Sequence, residues 1–246
     1  MTHKLIQHIS GVAEIVFSNP PANAHGIGDL DELAALLQET EKNPDIGVIV
    51  LRSEGKGFSA GGNMKEMLEL EGHHGIIGQA RSGYAASLAI AECAVPVIGA
   101  VHGYCIGVGV LLAAVCDIVL ASDDASFLLA EIDFGATAGA IQAIGLMPEK
   151  RLRSAMYTAE KVMATELERY GSIHSIVSRD DLSTTALELG ETIAAKSPVS
   201  VRAMKASIDG SVARSIRDYY RAEISYTYEL NMLGAAAEAR KAFFEG

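Results

Sequence analysis

Two apolar runs that each break into glycines constrain this chain more than anything else in it. One leads into Phe58-Ser59-Ala60-Gly61-Gly62-Asn63-Met64-Lys65. The other is Pro96-Val97-Ile98-Gly99-Ala100-Val101-His102-Gly103-Tyr104-Cys105-Ile106-Gly107-Val108-Gly109. Each reads as a buried strand that turns on glycine into a helix-forming stretch, which leaves backbone N–H groups unpaired and facing outward. Two such turns brought together would hold a developing negative oxygen. Taken singly, Gly61-Gly62 also reads as a tight turn and Gly107-Val108-Gly109 as a close-packing glycine pair. A dinucleotide loop is a poor fit, because Gly103 to Gly109 lacks the G-x-G-x-x-G spacing.

The rest of the chain is organised around those turns. Residues 4 to 17 read as two strands about a turn at Gly11, and Leu30, Leu33, Leu36 and Leu37 mark an amphipathic helix that stops near Asn43-Pro44. Ile46 to Arg52, Val95 to Val101 and Asp117 to Ala121 read as strands, with a helix from Gly107 to Val115 between the last two. Strand and helix alternate, so a layered α/β domain with a parallel sheet is expected. Between Glu66 and Glu92 a helical pattern is interrupted by Gly72, Gly75, Gly78 and Gly83, which reads as a broken, mobile wall beside the turns.

Beyond about Ser183 strand signals cease. A helix opens at Ser197-Pro198 and closes at Gly210, and a longer one runs from about Ser211 to Met232. The expected division is a core of residues 1–182 and a helical region of residues 183–246. Tyr219, Tyr220, Tyr226 and Tyr228 crowd the last long helix; they suit a subunit contact or packing onto the chain's own core equally well.

Composition removes several function classes. With 246 residues and 49% hydrophobic content the chain can bury one sizeable core. A net charge of −11 and the lack of a basic block interleaved with aromatics oppose nucleic-acid binding. Glu92, His102 and Asp117 interrupt every apolar stretch that would otherwise approach bilayer length, and Met1-Thr2-His3-Lys4 does not open a signal sequence, so a cytoplasmic protein is expected. Cys93, Cys105 and Cys116 are odd in number, sit in apolar segments and read as buried reduced thiols. No metal site is expected. Adjacent His73 and His74 diverge and have no Cys or carboxylate at ligand spacing, so they read as surface loop. Cys105 and Ser59 lack a base at a recognisable spacing and are poor nucleophiles. Tyr104 and His102 read as packing groups.

The ordered motifs Asn19-Pro20-Pro21-Ala22-Asn23-Ala24, Phe58 to Met67, Pro96 to Gly109, Cys116-Asp117-Ile118, and Ala125-Ser126-Phe127 through Glu131 and Gly135 resemble the enoyl-CoA hydratase/isomerase, or crotonase, superfamily along nearly the whole chain. The resemblance implies a spiral of ββα turns, C-terminal helices that make a homotrimer or homohexamer, and an acyl-CoA substrate with no separate cofactor. It also implies that a thioester enolate is held by two backbone amides, here those of Gly62 and Val108. One such donor is worth about 3 kcal/mol in comparable sites.

Position 108 departs from the usual glycine. A backbone donor survives that change, the following helix adds positive potential, and the valine would narrow the acyl pocket. By the same resemblance CoA lies against backbone near Ala22, Ala24 and Ala60, Gly61, Asn63 and Met64. Of the two glutamates with which the family's hydratases add water, one position holds Leu111 and the other Glu131. Leu128-Leu129-Ala130-Glu131-Ile132 is an apolar setting that should raise the Glu131 pKa. Asp133, two residues on, would share its side of a strand and is a weaker candidate.

A closer likeness is to the crotonase-like hydrolases that open the last rings of sterols in actinobacteria. It rests on Glu92 to Ile98, Tyr170-Gly171-Ser172-Ile173-His174-Ser175-Ile176-Val177-Ser178-Arg179-Asp180, and Ser225-Tyr226-Thr227-Tyr228-Glu229-Leu230-Asn231. Those enzymes lack the first glutamate and cleave a carbon–carbon bond of a cyclic β-diketone CoA thioester with water. That likeness favours ring-opening hydrolysis over simple hydration. Double-bond isomerisation, residual hydration, and a non-catalytic structural or RNA-binding role are the alternatives.

Overall fold

The computed structural model describes residues 1–211 and 216–245. The first half runs β1 (Thr2–Gln7), β2 (Val12–Ser18), β3 (Ala24–His25), α1 (Ile27–Thr40), β4 (Val48–Ser53), β5 (Gly61–Gly62), α2 (Met64–Glu69) and α3 (His74–Ala91). It continues with β6 (Val97–Val101), β7 (Tyr104–Ile106), α4 (Val108–Ala114), β8 (Ile118–Ser122), β9 (Ser126–Leu128) and a 3-10 turn, Glu131–Phe134. Then come α5 (Ala140–Ala143), α6 (Glu149–Thr158), β10 (Val162–Met163), α7 (Ala164–Arg169) and β11 (Ser175–Val177). Four helices close the chain: α8 (Leu182–Ala194), α9 (Pro198–Ser211), α10 (Ile216–Met232) and α11 (Ala235–Glu245).

The long sheet has the order β1-β2-β4-β6-β8-β11. It is parallel throughout except for β1, which turns back on β2 through Gly11. The expected parallel sheet therefore has one antiparallel edge. Each repeat sends its first strand into this sheet and its second into a smaller layer: β4 then β5, β6 then β7, β8 then β9. This is a spiral of ββα turns, and it brings all the strand-to-helix turns to one side of the molecule.

One face of the long sheet is buried against α1, α3 and α4 through Ile15, Phe17, Leu33, Leu37, Leu51, Ile90 and Leu112. The other face is covered by α8, whose Leu182 and Ala186 bury against Val12, Val48, Ile98 and Leu120. Strands such as Val48-Ile49-Val50-Leu51, apolar on both sides, are what a doubly covered parallel sheet requires.

Three of the four glycines between Glu66 and Glu92, Gly75, Gly78 and Gly83, do not break a helix. α3 runs unbroken from His74 to Ala91, because the glycines permit approach. A Cβ on Gly75 would fall 2.2 Å from the Met67 carbonyl oxygen and one on Gly78 would fall 2.5 Å from Ile27 Cδ1. About 1 kcal/mol of helix propensity per glycine is offset by contact with α1 and α2. Only Gly72 lies in a true interruption, the link between α2 and α3. His73 and His74 form the start of α3 rather than a loop.

At the far end the long helix expected from Ser211 begins at Ile216 in the described part, Ser211 closes α9, and residues 212–215 lie outside the described residues. Its tyrosines divide between the two readings. Tyr220 is buried, stacks on Tyr84 with ring centroids 4.7 Å apart and donates to the Ala80 carbonyl at 3.0 Å. Tyr219 and Tyr226 face outward.

Candidate active site

Three short parallel segments carry the two glycine turns and the acid to one place. Phe58 N–H donates to the His102 carbonyl at 2.7 Å, Ser59 N–H to Tyr104 at 3.2 Å, and Ile106 N–H to Ser59 at 2.9 Å. β7 then pairs with β9 in the register Tyr104↔Ser126, Cys105↔Phe127, Ile106↔Leu128, and Gly107 N–H donates to the Leu128 carbonyl at 2.9 Å. The chain past Gly61, past Gly107 and past Leu128 therefore emerges side by side.

Backbone geometry explains the glycines individually. Gly107 has φ 51° and ψ −121°, a conformation that side chains rarely tolerate. A Cβ there would lie 3.4 Å from Glu131 Oε1 and 3.8 Å from the Gly61 Cα, so both turns and the carboxyl group meet at this point. Gly109 is a packing glycine: its Cβ would collide with Ser59 Cβ at 2.6 Å. The two readings of the second turn are thus both realised, at different residues.

The Gly61 N–H is held by Ser59 Oγ at 3.0 Å and the Asn63 N–H by the His25 carbonyl at 2.7 Å. Alternation along the strand turns the intervening Gly62 N–H away from β3. Gly62 itself lines the cavity, and the Gln79 amide, which donates to the His25 carbonyl at 3.3 Å, covers the space a side chain would need. Val108 opens α4, so its N–H has no partner within the helix. At seven residues that helix adds little dipole, so stabilisation of a charge here would rest on the amides themselves. The Val108 side chain also borders the cavity and packs towards Gly83, where a Cβ would sit 3.5 Å from Val108 Cγ2.

Glu131 stands across from these amides. Its Oε2 is buried with no hydrogen-bond partner among the described residues, and burial pushes its pKa up to about 7 against the pull of its own backbone N–H. Among the described residues no cation stabilises its charged form. A carboxyl held in this way can take or give a proton near neutral pH. Asp133 is not on a strand with it. Residues 131–134 form a 3-10 turn, which swings Asp133 to an exposed position on the cavity rim.

The cavity between these groups is about 570 Å3 and mostly apolar. Ala60, Gly61, Gly62, Met64, Val108, Leu111, Glu131 and Asp133 line it. Leu111, a hydrocarbon in the cavity wall, presses on the Gly139 backbone, where a Cβ would lie 2.6 Å from its Cδ2. Ala22, Ala24 and Asn63 do not line it. The Ala22 carbonyl accepts from Ala60 at 3.1 Å, that of Ala24 from Asn19 at 2.7 Å, and Asn63 caps α2 by accepting from the Glu66 N–H at 3.2 Å. They brace the turn from behind.

Other residues singled out from sequence are structural. Cys93 and Cys105 are buried, Cys116 is half-buried, all three are free, and burial raises each thiol pKa. Tyr104 packs its ring over Gly57, and His102 contacts the Gly55 carbonyl at 3.1 Å. Among the described residues no cluster of three His, Cys, Asp or Glu could hold a metal, and no helix is long and apolar enough to cross a membrane.

Sequence reasoning missed the wall opposite the turns. Tyr220, Ile224, Thr227 and Asn231 of α10, with Ala237, Arg240 and Phe243 of α11, complete the cavity. The α10 set recurs at i, i+4, i+7 and i+11, a helical stripe that was there to be read as a buried face but not as a face on a ligand.

The enoyl-CoA hydratase/isomerase family model matches residues 7–246. The chain belongs to this family. It is accordingly an acyl-CoA-processing enzyme. Among its relatives, a protein of Rhodococcus jostii is 38% identical over 235 residues, covering 96% of this chain and 91% of the relative. One of Mycobacterium tuberculosis is 39% identical over 233 residues, covering 95% and 94%. Both are named (7aS)-7a-methyl-1,5-dioxo-2,3,5,6,7,7a-hexahydro-1H-indene-carboxyl-CoA hydrolase. The crystal structure of an enoyl-CoA hydratase/isomerase from Pseudoalteromonas atlantica has a TM-score of 0.87 at 23% identity, covering 100% of this chain and 97% of that one, and so establishes the crotonase fold.

Proposed function

We propose that the protein hydrolyses a carbon–carbon bond in a cyclic diketone carried as its CoA thioester. The observation that carries this is the single buried carboxyl of Glu131 beside the two turns, with Leu111 where a second carboxylate would stand. Syn hydration calls for an acid and a base at once, whereas one group suffices for hydrolysis of this kind. Glu131 takes a proton from water, and the hydroxide adds to a ring ketone. The ring bond then breaks, and its electron pair enters the conjugated carbonyl system as an enolate with oxygen between the Gly62 and Val108 amides. The proton on Glu131 returns to carbon. One water is consumed, one carboxylic acid appears, and the thioester stays intact. The names of the two relatives support the substrate class. CoA lies along backbone at Ala60, Gly61 and Met64, the segment braced by Ala22, Ala24 and Asn63.

Mass spectrometry of a panel of CoA thioesters tests the reading. A cyclic diketone thioester is expected to gain one water and yield a ring-opened acid by NMR, while crotonyl-CoA is hydrated very slowly. Conversion of an enoyl thioester with no change of mass would favour the second reading, double-bond isomerisation, which the same lone carboxyl supports. Brisk hydration of crotonyl-CoA would defeat the one-carboxyl mechanism.

We further propose a homotrimer or homohexamer. Val199, Met204 and Ile208 of α9 and Tyr219 and Tyr226 of α10 are all more than half exposed, more apolar surface than peripheral helices usually leave in water. Light scattering at micromolar concentration is expected to give three or six chain masses; a monomer would sink this.

A further inference from the structure

We infer that Arg240, positioned by Asn231, reads an oxygen function on the acyl group remote from the thioester, and so selects acyl-CoA substrates that carry a second carbonyl or a carboxylate. The inference rests on the acyl-CoA reading of the cavity and narrows it to a substrate class.

Arg240 is the sole Arg or Lys among the described residues lining the cavity. Its Nη1 donates to the Phe134 carbonyl at 3.3 Å and its Nη2 to Asn231 Oδ1 at 3.2 Å. Both acceptors are neutral and both bonds are long. A guanidinium has five N–H donors, and the others have no acceptor among the described residues. Nor does Arg240 have a carboxylate within ion-pair distance there, in a chain with 31 acidic residues against 20 basic ones.

Other arginines behave differently. Arg52 is bonded to Glu14, Arg151 to Glu160 and Glu166, and Arg179 to Asp124. Arg202, which has no carboxylate partner among the described residues, bonds the carbonyls of Glu41, Asn43 and Ile46. Arg240 instead is half-buried against an apolar cavity, and burial lowers its pKa, so its charge is under-solvated.

The cation is also held in place. Asn231 Nδ2 donates to the Thr227 carbonyl at 2.8 Å, which fixes the amide so that its oxygen faces Arg240. The Phe134 ring, tilted at 52° against Phe243 with centroids 4.4 Å apart, lines the same cavity. Phe134 ends the 3-10 turn that begins at Glu131, so the guanidinium is one short turn from the acid. It is not close enough to perturb it: burial, not Arg240, sets the Glu131 pKa. A fork of donors with spare capacity, at a separate point of an apolar cavity from the carboxyl, suits a ketone or carboxylate oxygen of the ligand.

Binding can be measured without catalysis. Isothermal calorimetry of the intact protein would compare straight-chain saturated acyl-CoA thioesters ending in methyl with those of equal length ending in carboxylate. At the length that spans the cavity the carboxylate end is expected to bind about ten- to a hundredfold tighter. Arg240→Gln should abolish that preference while leaving methyl-ended affinity unchanged, which also reports that the variant is folded, and Arg240→Lys should retain part of it. Equal affinity at every length in the unsubstituted protein overturns the inference and leaves the acyl-CoA reading standing, and so does a preference that survives Arg240→Gln. Failure of every thioester and of CoA itself to bind overturns both.

Discussion

Glu131→Gln is expected to lower turnover by about 10²–10⁴ while the affinity for an unreactive acyl-CoA stays nearly constant. The amide keeps the shape of the carboxyl and removes only the proton transfer. Because the acid of Glu131 is raised to about 7, activity that needs its charged form should climb as pH passes through neutrality. The same shift affects stability. A carboxyl whose pKa rises from 4.5 to about 7 on folding holds a proton in the native state that the unfolded chain has already released. Its contribution is complete below about 4.5 and is lost as pH rises through about 7. The unfolding temperature of the unsubstituted protein should therefore fall between about pH 4.5 and 7 relative to Glu131→Gln, in which this dependence disappears. A glutamine variant that keeps a tenth or more of the original turnover would move the acid–base role elsewhere, with Asp133 on the cavity rim the first place to look.

Gly107→Ala should come close to that loss. The native φ of 51° with ψ of −121° is not open to alanine without strain, and the new methyl would meet Glu131 Oε1 at 3.4 Å. The backbone is expected to yield, and with it the direction of the Val108 N–H. Loss of one preorganised oxyanion donor costs about 10²–10³ in turnover. Gly83→Ala is the comparison. It sits within α3, and its Cβ would make only an ordinary contact with Val108 Cγ2 at 3.5 Å, so turnover should change little while helix stability rises by a few tenths to about 1 kcal/mol. Single-turnover kinetics of the two variants separates the effects. Near-normal chemistry in Gly107→Ala would remove Val108 from the oxyanion role.

The two glycine turns and Glu131, which the structure brings to one cavity, were legible in the sequence because their local signals are strong. A glycine needed for an unusual backbone, as at Gly107, leaves the same mark whether read as a turn or as an amide donor. Glu131 was readable because a charged residue stands alone in an apolar run.

Elsewhere the local signal pointed the wrong way. Gly75 and Gly78 look like helix breakers by propensity, yet neighbouring elements on α1 and α2 decide the matter by filling the space a Cβ would take. The strand reading of Asp133 failed for a similar reason. The chain after Leu128 leaves the sheet and winds into a 3-10 turn, closed by Gly135 in a left-handed conformation, and alternation no longer applies. The wall from α10 and α11 lies far along the chain from the turns it faces, and no local pattern reports what a helix face will meet.

That wall divides the labour of the polypeptide. Everything proposed to act on bonds lies between Gly62 and Glu131, whereas Tyr220, Ile224, Thr227, Asn231, Arg240 and Phe243 come from its last two helices. An exchange of that tail between relatives would transplant a preference for one acyl shape onto unaltered chemistry. During synthesis the reacting groups are therefore laid down before the helices that close the chamber and tell substrates apart.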